Sequence, residues 1–223
     1  MDDRTREPQY QFLIENEKQG LEQFGVMSSQ VWREDPRRLL FVLARYKFVA
    51  KMFSGMKRVL EVGCADGFGT RIVRQEVPDV VATDFDPVFI KRNQAGNSQR
   101  WRIDFRVHDM AAAPIAERFE GIYAIDVIEH IPQELESAFL GNMAASLAQE
   151  GVCLLGTPSI QSQAYASPAS KEGHVNCKDA PALKSLVARF FHNVFIFSMN
   201  DEVIHTGFHP MAHYLWALGC NRR

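Results

Sequence analysis

The run Val59-Leu60-Glu61-Val62-Gly63-Cys64-Ala65-Asp66-Gly67-Phe68-Gly69-Thr70 constrains the fold of this chain more than any other stretch. Apolar residues lead into an acid and a glycine-punctuated turn, the pattern by which a buried parallel strand hands over to a helix beside a nucleotide-like ligand. The dinucleotide fingerprint G-x-G-x-x-G does not fit, because a motif starting at Gly63 would need glycines where Ala65 and Phe68 stand. The turn therefore reads as a cofactor site of another kind.

Downstream segments alternate strand and helix signals. Val80-Val81-Ala82-Thr83-Asp84 is a β-rich run ending in an acid, where a neighbouring parallel strand delivers a carboxylate to a ribose. Two acceptor oxygens suit two vicinal hydroxyls. Asp86-Pro87 is an N-cap followed by proline at the first helical position. Trp101 to Met110 alternates apolar and polar residues like a strand and contains a further acid, Asp109. Gly121 to Ile125 reads as a fourth strand, followed by the string D-x-x-E-H-x-P from Asp126 to Pro132. Pro132 is expected to open a helix through Leu135, Phe139, Met143 and Leu147 that Gly151 ends. Val152 to Pro158 is a fifth strand, Asp179 to Phe191 a helix, and Val194–Met199 and His213–Leu218 are closing strands. This order predicts an α/β fold: a doubly wound, Rossmann-like, seven-stranded sheet with an antiparallel terminal strand, plus an N-terminal helical extension.

Glu61, Gly63 and Gly67 match E-x-G-x-G-x-G, the first motif of class I S-adenosylmethionine (SAM) dependent methyltransferases, and residues from about 55 to 220 resemble that family, with Ala65 departing from it. The resemblance implies SAM as cofactor and places Glu61, Gly63, Cys64, Ala65, Gly67, Asp84, Phe85, Asp109, Met110, Asp126 and Val127 around it. Asp84 would face the ribose and Asp109 the adenine amino group. SAM carries no phosphates, so the glycines would serve close backbone approach rather than cradle a pyrophosphate. Ala65 fits such a turn only with negative φ; otherwise the loop must shift. Family members that methylate adenine amines or glutamine amides carry N-P-P-Y-like strings after strand four, where this chain has Asp126-Val127-Ile128-Glu129. The Pro-Cys nucleophile of cytosine C5 methylation is also missing. The resemblance thus implies a small-molecule methyltransferase, for which a hydroxyl oxygen is the commonest acceptor.

With 223 residues, 46% hydrophobic and 23% charged, the chain can bury one large core. The division expected is an extension over 1–54 and a methyltransferase domain over 55–223. A formal net charge of -2 gives no electrostatic footprint for nucleic acid. Cys64, Cys153, Cys177 and Cys220 form no C-x-x-C pair, and the sequence shows neither a leader pattern nor an apolar run near 20 residues. These features predict a reduced, cytoplasmic protein whose partner is a small-molecule acceptor, with no membrane or nucleic acid; a homodimer is left open. In the extension, Asp35-Pro36 starts a helix whose Arg38 and Arg45 lie on nearly one face, suited either to an anionic group or to a solvated basic stripe.

The acceptor platform is expected at Ser159 to Lys178, after strand five, where ligands of open α/β sheets bind. Its serines, glutamines and asparagine suit a polyhydroxyl acceptor, so a sugar or nucleotide-linked sugar is the first reading. A quinone or protein methyltransferase and a non-catalytic SAM-binding protein are the alternatives. His174 is the first candidate for general base and His130 the second, because imidazoles titrate near neutrality. His205 and His209 could line the acceptor site, and His108, His192 and His213 read as structural. No H-x-x-x-H spacing recurs on a helix, so no metal is assigned.

Overall fold

The computed structural model describes residues 4–18 and 20–223, so Met1–Asp3 and Gln19 of the expected extension lie outside the described residues. The strands are β1 (Arg58–Val62), β2 (Asp79–Asp84), β3 (Asp104–Val107), β4 (Phe119–Ile125), β5 (Leu147–Pro158), β6 (Phe191–Asn200), β7 (Val203–His205) and β8 (Tyr214–Arg222). The helices are α1 (Gln11–Glu17), α2 (Val26–Glu34), α3 (Arg37–Met52), α4 (Thr70–Glu76), α5 (Pro87–Ala95), α6 (Glu136–Ser146), α7 (Pro168–Gly173) and α8 (Ala180–Val187).

Strand order is β3-β2-β1-β4-β5-β8-β6-β7. The first five run parallel, and β8 inserts antiparallel between β5 and β6. Strand residues alternate between two cores, as a period of two requires. Leu60 and Val62 join Phe139 and Leu140 of α6 and Leu183 and Val187 of α8. Val59 joins Val49 of α3, Phe53 just beyond its end, Val73 of α4 and Ile90 of α5 on the opposite face. Helices therefore cover both faces of the sheet, the doubly wound α/β architecture. The 54/55 boundary drawn from sequence falls between α3 and β1, which pack into the same core.

Two helix starts follow directly from sequence. Asp86 caps α5 by accepting from the Val88 amide, and Asp179 caps α8 by accepting from the Ala182 amide.

Other expectations shift. The sheet has eight strands rather than seven, because the three residues of β7 fold back on β6. The sixth helix starts at Glu136 and ends at Ser146, and Gly151 lies within β5 instead of closing the helix. Leu147 is drawn into the sheet opposite Phe119, where both side chains are fully buried. The strand read over 101–110 contracts to four residues, since the Asn97 side chain both donates to the Ile103 carbonyl and accepts from its amide, replacing a strand neighbour there.

Gly69 precedes α4, and a Cβ there would lie 2.1 Å from the Tyr46 ring, which is itself buried and hydrogen-bonded. Gly69→Ala should therefore cost at least about 2 kcal/mol by overpacking. Gly96→Ala, whose Cβ would meet only the Arg92 carbonyl at 3.6 Å, should be neutral or slightly stabilising. Urea midpoints of the two variants check this, and equal midpoints would contradict the packing argument.

Candidate active site

The loops that carry the sequence motifs gather at the carboxyl edge of the parallel strands, because every crossover leaves the sheet there. Beneath them Glu61 is 1% exposed. Its carboxylate accepts from Tyr46 Oη at 2.7 Å, Thr70 Oγ1 at 2.5 Å and Tyr123 Oη at 2.9 Å. Burial pushes Glu61 up to about 7, while the hydrogen bonds from Thr70, Tyr46 and Tyr123 pull it back. Glu61 thus joins β1, β4, α3 and α4 from below the turn, and its carboxylate does not face the surface.

The turn itself holds its course despite Ala65. Ala65 takes φ 46, so the expected negative φ is not observed, and the loop tolerates an L-residue in the left-handed region. Its amide donates to Asp84 Oδ2 at 2.9 Å and its carbonyl accepts from Asn93 Nδ2 at 2.7 Å, and these two bonds hold the strained residue. Gly63 has φ 76, and a Cβ there would come within 2.4 Å of Val127 Cγ2. The glycine turn and the loop after β4 therefore meet backbone against side chain. Cys64 is buried, its side chain accepting from Asn93, and Gly67 is buried against Phe105. Asp66 accepts from the Ser28 amide at 2.8 Å, tying the first turn of α2 to this loop.

Asp84 ends β2 with both oxygens engaged by backbone amides, those of Ala65 and Asp86, and retains lone pairs for further donors. Phe85 beside it is 74% exposed, an aromatic face open to stacking. Asp109 is exposed and accepts from the Ala111 amide, while Met110 is buried in the core. Asp126 follows β4 with φ 56. Acceptors at the ends of β2, β3 and β4 suit ribose hydroxyls, an adenine amine and an ammonium, and they would repel a pyrophosphate.

Arg45 and Arg38 part company. Arg38 is exposed and pairs with Glu34 at 3.7 Å. Arg45 reaches Asp126 Oδ2 at 2.6 Å and lies 3.8 Å over the Tyr214 ring. Arg45 Nε, Asp126 Oδ1, Tyr214 Oη and Glu129 Oε1 are buried without a partner. Such a group of unpaired atoms at the mouth of a site is suited to a polar ligand.

The loop from Ser159 to Lys178 closes on itself. Its ends form a parallel bridge, and within it lie a 3₁₀ turn (Ile160–Tyr165) and α7. Buried Lys178 pairs with Glu136 at 2.8 Å, and Asn176 links the two. This closure brings His174 against His130, with ring centroids 5.0 Å apart. His130 Nδ1 meets the Gly173 carbonyl at 2.8 Å and His174 Nδ1 meets Gln163 Oε1 at 2.9 Å. With each Nδ1 donating to an oxygen, each Nε2 carries the lone pair. Burial, then the neighbouring His130, holds His174 below its ordinary pKa. Glu129, on the 3₁₀ turn Ile128–His130, is fully buried; its Oε2 accepts from Thr157 Oγ1 at 3.1 Å.

His205 bonds Asn200 and accepts from the Gly207 amide, whereas His209 bonds Ser198 and lines a cavity with Gln161 of the 159–178 loop. His108 bonds the Ala113 carbonyl and His213 accepts from the Asp201 amide, as expected of structural histidines. Glu129, Tyr214 and Gln163 were not among the residues singled out from sequence. Glu129 had a signal, as the acid of the D-x-x-E-H-x-P string; Gln163 and Tyr214 had none, since only the fold brings them near.

A methyltransferase domain matches residues 31–190, and the chain belongs to this family of SAM-dependent methyltransferases. It is 26% identical over 153 residues to the ubiquinone biosynthesis O-methyltransferase of Xanthomonas axonopodis pv. citri, covering 66% of this chain and 63% of that one. The enzyme of the same name from Psychrobacter arcticus is 25% identical over 139 residues, covering 60% of this chain and 53% of that one. The chain thus spans less than two thirds of the length of these relatives. The fold resembles the TehB-like SAM-dependent methyltransferase of Corynebacterium glutamicum, with a TM-score of 0.64 at 16% identity over 86% of this chain and 95% of that one. It also resembles the N-methyltransferase NodS of Bradyrhizobium japonicum WM9 bound to S-adenosyl-L-homocysteine, with a TM-score of 0.59 at 20% identity over 85% and 91% of the two chains. Among the described residues no helix is long and apolar enough to cross a membrane.

Because the folded pKa of Glu61 lies above that of the unfolded chain, its favourable contribution is complete below about pH 4.5 and is lost as pH rises through about 7. The loss is on the order of 3 kcal/mol. Glu61→Gln cannot ionise, so its stability should fall less than that of the parent between about pH 5 and about pH 8. Urea unfolding across that range tests this, and parallel pH profiles would refute a buried carboxyl that resists ionisation.

Proposed function

We propose that this chain transfers a methyl group from SAM to a hydroxyl oxygen on an aromatic ring. The observation that carries this reading is the His130–His174 pair, whose rings stand 5.0 Å apart with each Nδ1 engaged by an oxygen and with Asp126 close enough to act electrostatically on His174. When bound, SAM supplies an electrophilic sulfonium methyl. Asp84 and Asp109 would hold the ribose and adenine amine, with Phe85 against the ring. Asp126 and Arg45 would meet the amino-acid end, each having one buried atom unpaired.

The acceptor side argues for an aryl ring over a sugar. Several polar residues of the 159–178 loop are engaged within the fold. Ser159 accepts from the Ser162 amide and donates to the Ala212 carbonyl, Ser167 caps α7, and Gln163 orients His174. The loop turns outward three large apolar side chains, Ile160, Tyr165 and Val175, 51%, 92% and 63% exposed, beside the exposed polar Gln161, Lys171 and Glu172. Part of the polar composition that favoured a sugar is therefore used internally, by Ser159, Gln163 and Ser167. A phenolic hydroxyl, with an ordinary pKa near about 10, is also far easier to deprotonate than an aliphatic alcohol. The O-methyltransferase activity in the relatives' names accords with this reading.

In the proposed reaction the loop positions the acceptor oxygen in line with the methyl group and shields it from water. In the absence of any cation, His174 Nε2 takes the hydroxyl proton, and Gln163 keeps its ring in the accepting tautomer.

Radiolabelled SAM should methylate a catechol such as 3,4-dihydroxybenzoate and leave free hexoses unmodified; the reverse preference would overturn the acceptor class. His174→Ala should lower turnover at least about 100-fold with SAM affinity nearly intact. His174 must be neutral to accept a proton, so activity should fall on acidification through a pKa below 6.5. A larger turnover loss in His130→Ala would move the base to that residue.

Asp84→Ala should weaken SAM binding by about 10- to 100-fold, the range for hydrogen bonds to a charged group. It should also destabilise the turn by freeing the Ala65 amide. Calorimetry measures the first effect, and unchanged SAM affinity would refute the ribose role.

A further inference from the structure

We propose that Glu129, His130 and His174 form a site for one divalent transition-metal cation of the zinc type, which binds the hydroxyl oxygen of the acceptor. One ligand atom from each residue lies within 4.8 Å of the others. Two imidazoles and one carboxylate are a donor set that suits such ions and leaves coordination positions open for substrate.

Three features of the cluster point to a cation rather than to a hydrogen-bonded triad. Glu129 Oε1 is buried and has no hydrogen-bond partner, although two imidazoles stand beside it. His130 and His174 each direct Nδ1 to an oxygen, Gly173 O and Gln163 Oε1. This is the outer-shell arrangement that fixes the tautomer of a metal-binding histidine and turns its other nitrogen to the ion. The three ligand atoms lie within 4.8 Å of one another, close enough for one positive charge entering between them to engage all three. Metal bonds of about 2.0–2.2 Å place neighbouring ligand atoms roughly 3.0–3.5 Å apart, so each ligand needs to advance by less than about 1 Å. The side chain of His174 arrives on the 159–178 loop, which can supply that movement, whereas Glu129 is fixed by Thr157.

The nearest cations leave the position free. Arg45 is bound to Asp126 and Lys178 to Glu136. Asp126, whose Oδ1 is buried and unpartnered among the described residues, is close enough to act electrostatically on both Glu129 and His174.

This inference rests on hydroxyl methylation and deepens it. The acceptor oxygen would bind the ion and release its proton to solvent water. The oxygen lone pair then forms the O–CH₃ bond as the CH₃–S bond breaks, and sulfur keeps the electron pair to become a neutral thioether. With the cation present the hydroxyl ionises on the metal, and the imidazoles serve as ligands instead of proton acceptors.

Calorimetric titration of the chelator-stripped full chain with Zn²⁺, and separately Mn²⁺, tests the site without reference to activity. One ion per chain is expected, with binding weakened at least about 100-fold in His174→Ala and His130→Ala and about 10- to 100-fold in Gln163→Ala, which removes the group orienting His174 together with its bonds to Ser159 and Ser162. His192→Ala, on the exposed surface of β6, should bind as the parent does. Absence of binding by either ion, or unchanged affinity in both histidine variants, would overturn the proposal. Co²⁺ substitution should give visible d–d absorption that disappears in Glu129→Gln; absorption dominated by thiolate charge transfer would place the ion at a cysteine and refute it. The two readings fail separately. A metal-binding chain that methylates no phenol would keep the site and lose the acceptor class, whereas a metal-free chain at full activity would do the reverse.

Discussion

The Glu61 carboxylate, held by three hydroxyls, is the interaction on which the upper half of the molecule depends. A carboxylate at the centre of a sheet is costly unless every lone pair in reach is matched. Here Tyr46, Thr70 and Tyr123 provide the match, and each belongs to a different element. Glu61 also stands directly across from Tyr123 on β4 and Ala82 on β2, so strand register and carboxylate geometry are set together. The turn that follows is thereby aimed before any ligand arrives. Ala65 can sit in the left-handed region because both ends of its loop are already anchored.

Arg45 extends this order to the surface. Carried by α3, it bonds Asp126 across the face of Tyr214 on β8, so the first core helix, the loop after β4 and the last strand meet at one guanidinium. A buried ion pair of this sort contributes more to position than to stability. It places Asp126 near Glu129 and the two histidines while leaving acceptor atoms of both carboxylates unpaired.

The sheet was legible because its signals are local: periodicity in β1, β2, β4 and β5, the caps at Asp86 and Asp179, and the glycines of the turn. Less legible were features decided by distant neighbours. Gly151 carries the stop signal of a helix, yet Leu147 pairs with Phe119 and the chain is already strand there. Asn97 imitates a strand partner for Ile103, which no pattern of apolar residues announces. In the site, both histidines could be chosen from sequence, but their approach depends on a bridge between Ser159 and Lys178. Polarity in the same loop has two possible uses. Serine and glutamine side chains look alike in sequence whether they bind a ligand or cap a backbone amide, and here Ser159, Gln163 and Ser167 serve the loop.

That same bridge separates two kinds of change in this protein. Because the 159–178 segment leaves and re-enters the domain at one clamped point, its length and contents can vary without disturbing the register of β5 or β8. Closing a loop of doubled length costs only about 0.6 kcal/mol more. Insertions there would remodel the surface beside His130 and His174 while the turn above Glu61 and the end of β2 keep their shape. The fold is built so that one loop can change through evolution while the glycine turn beside it is inherited unchanged.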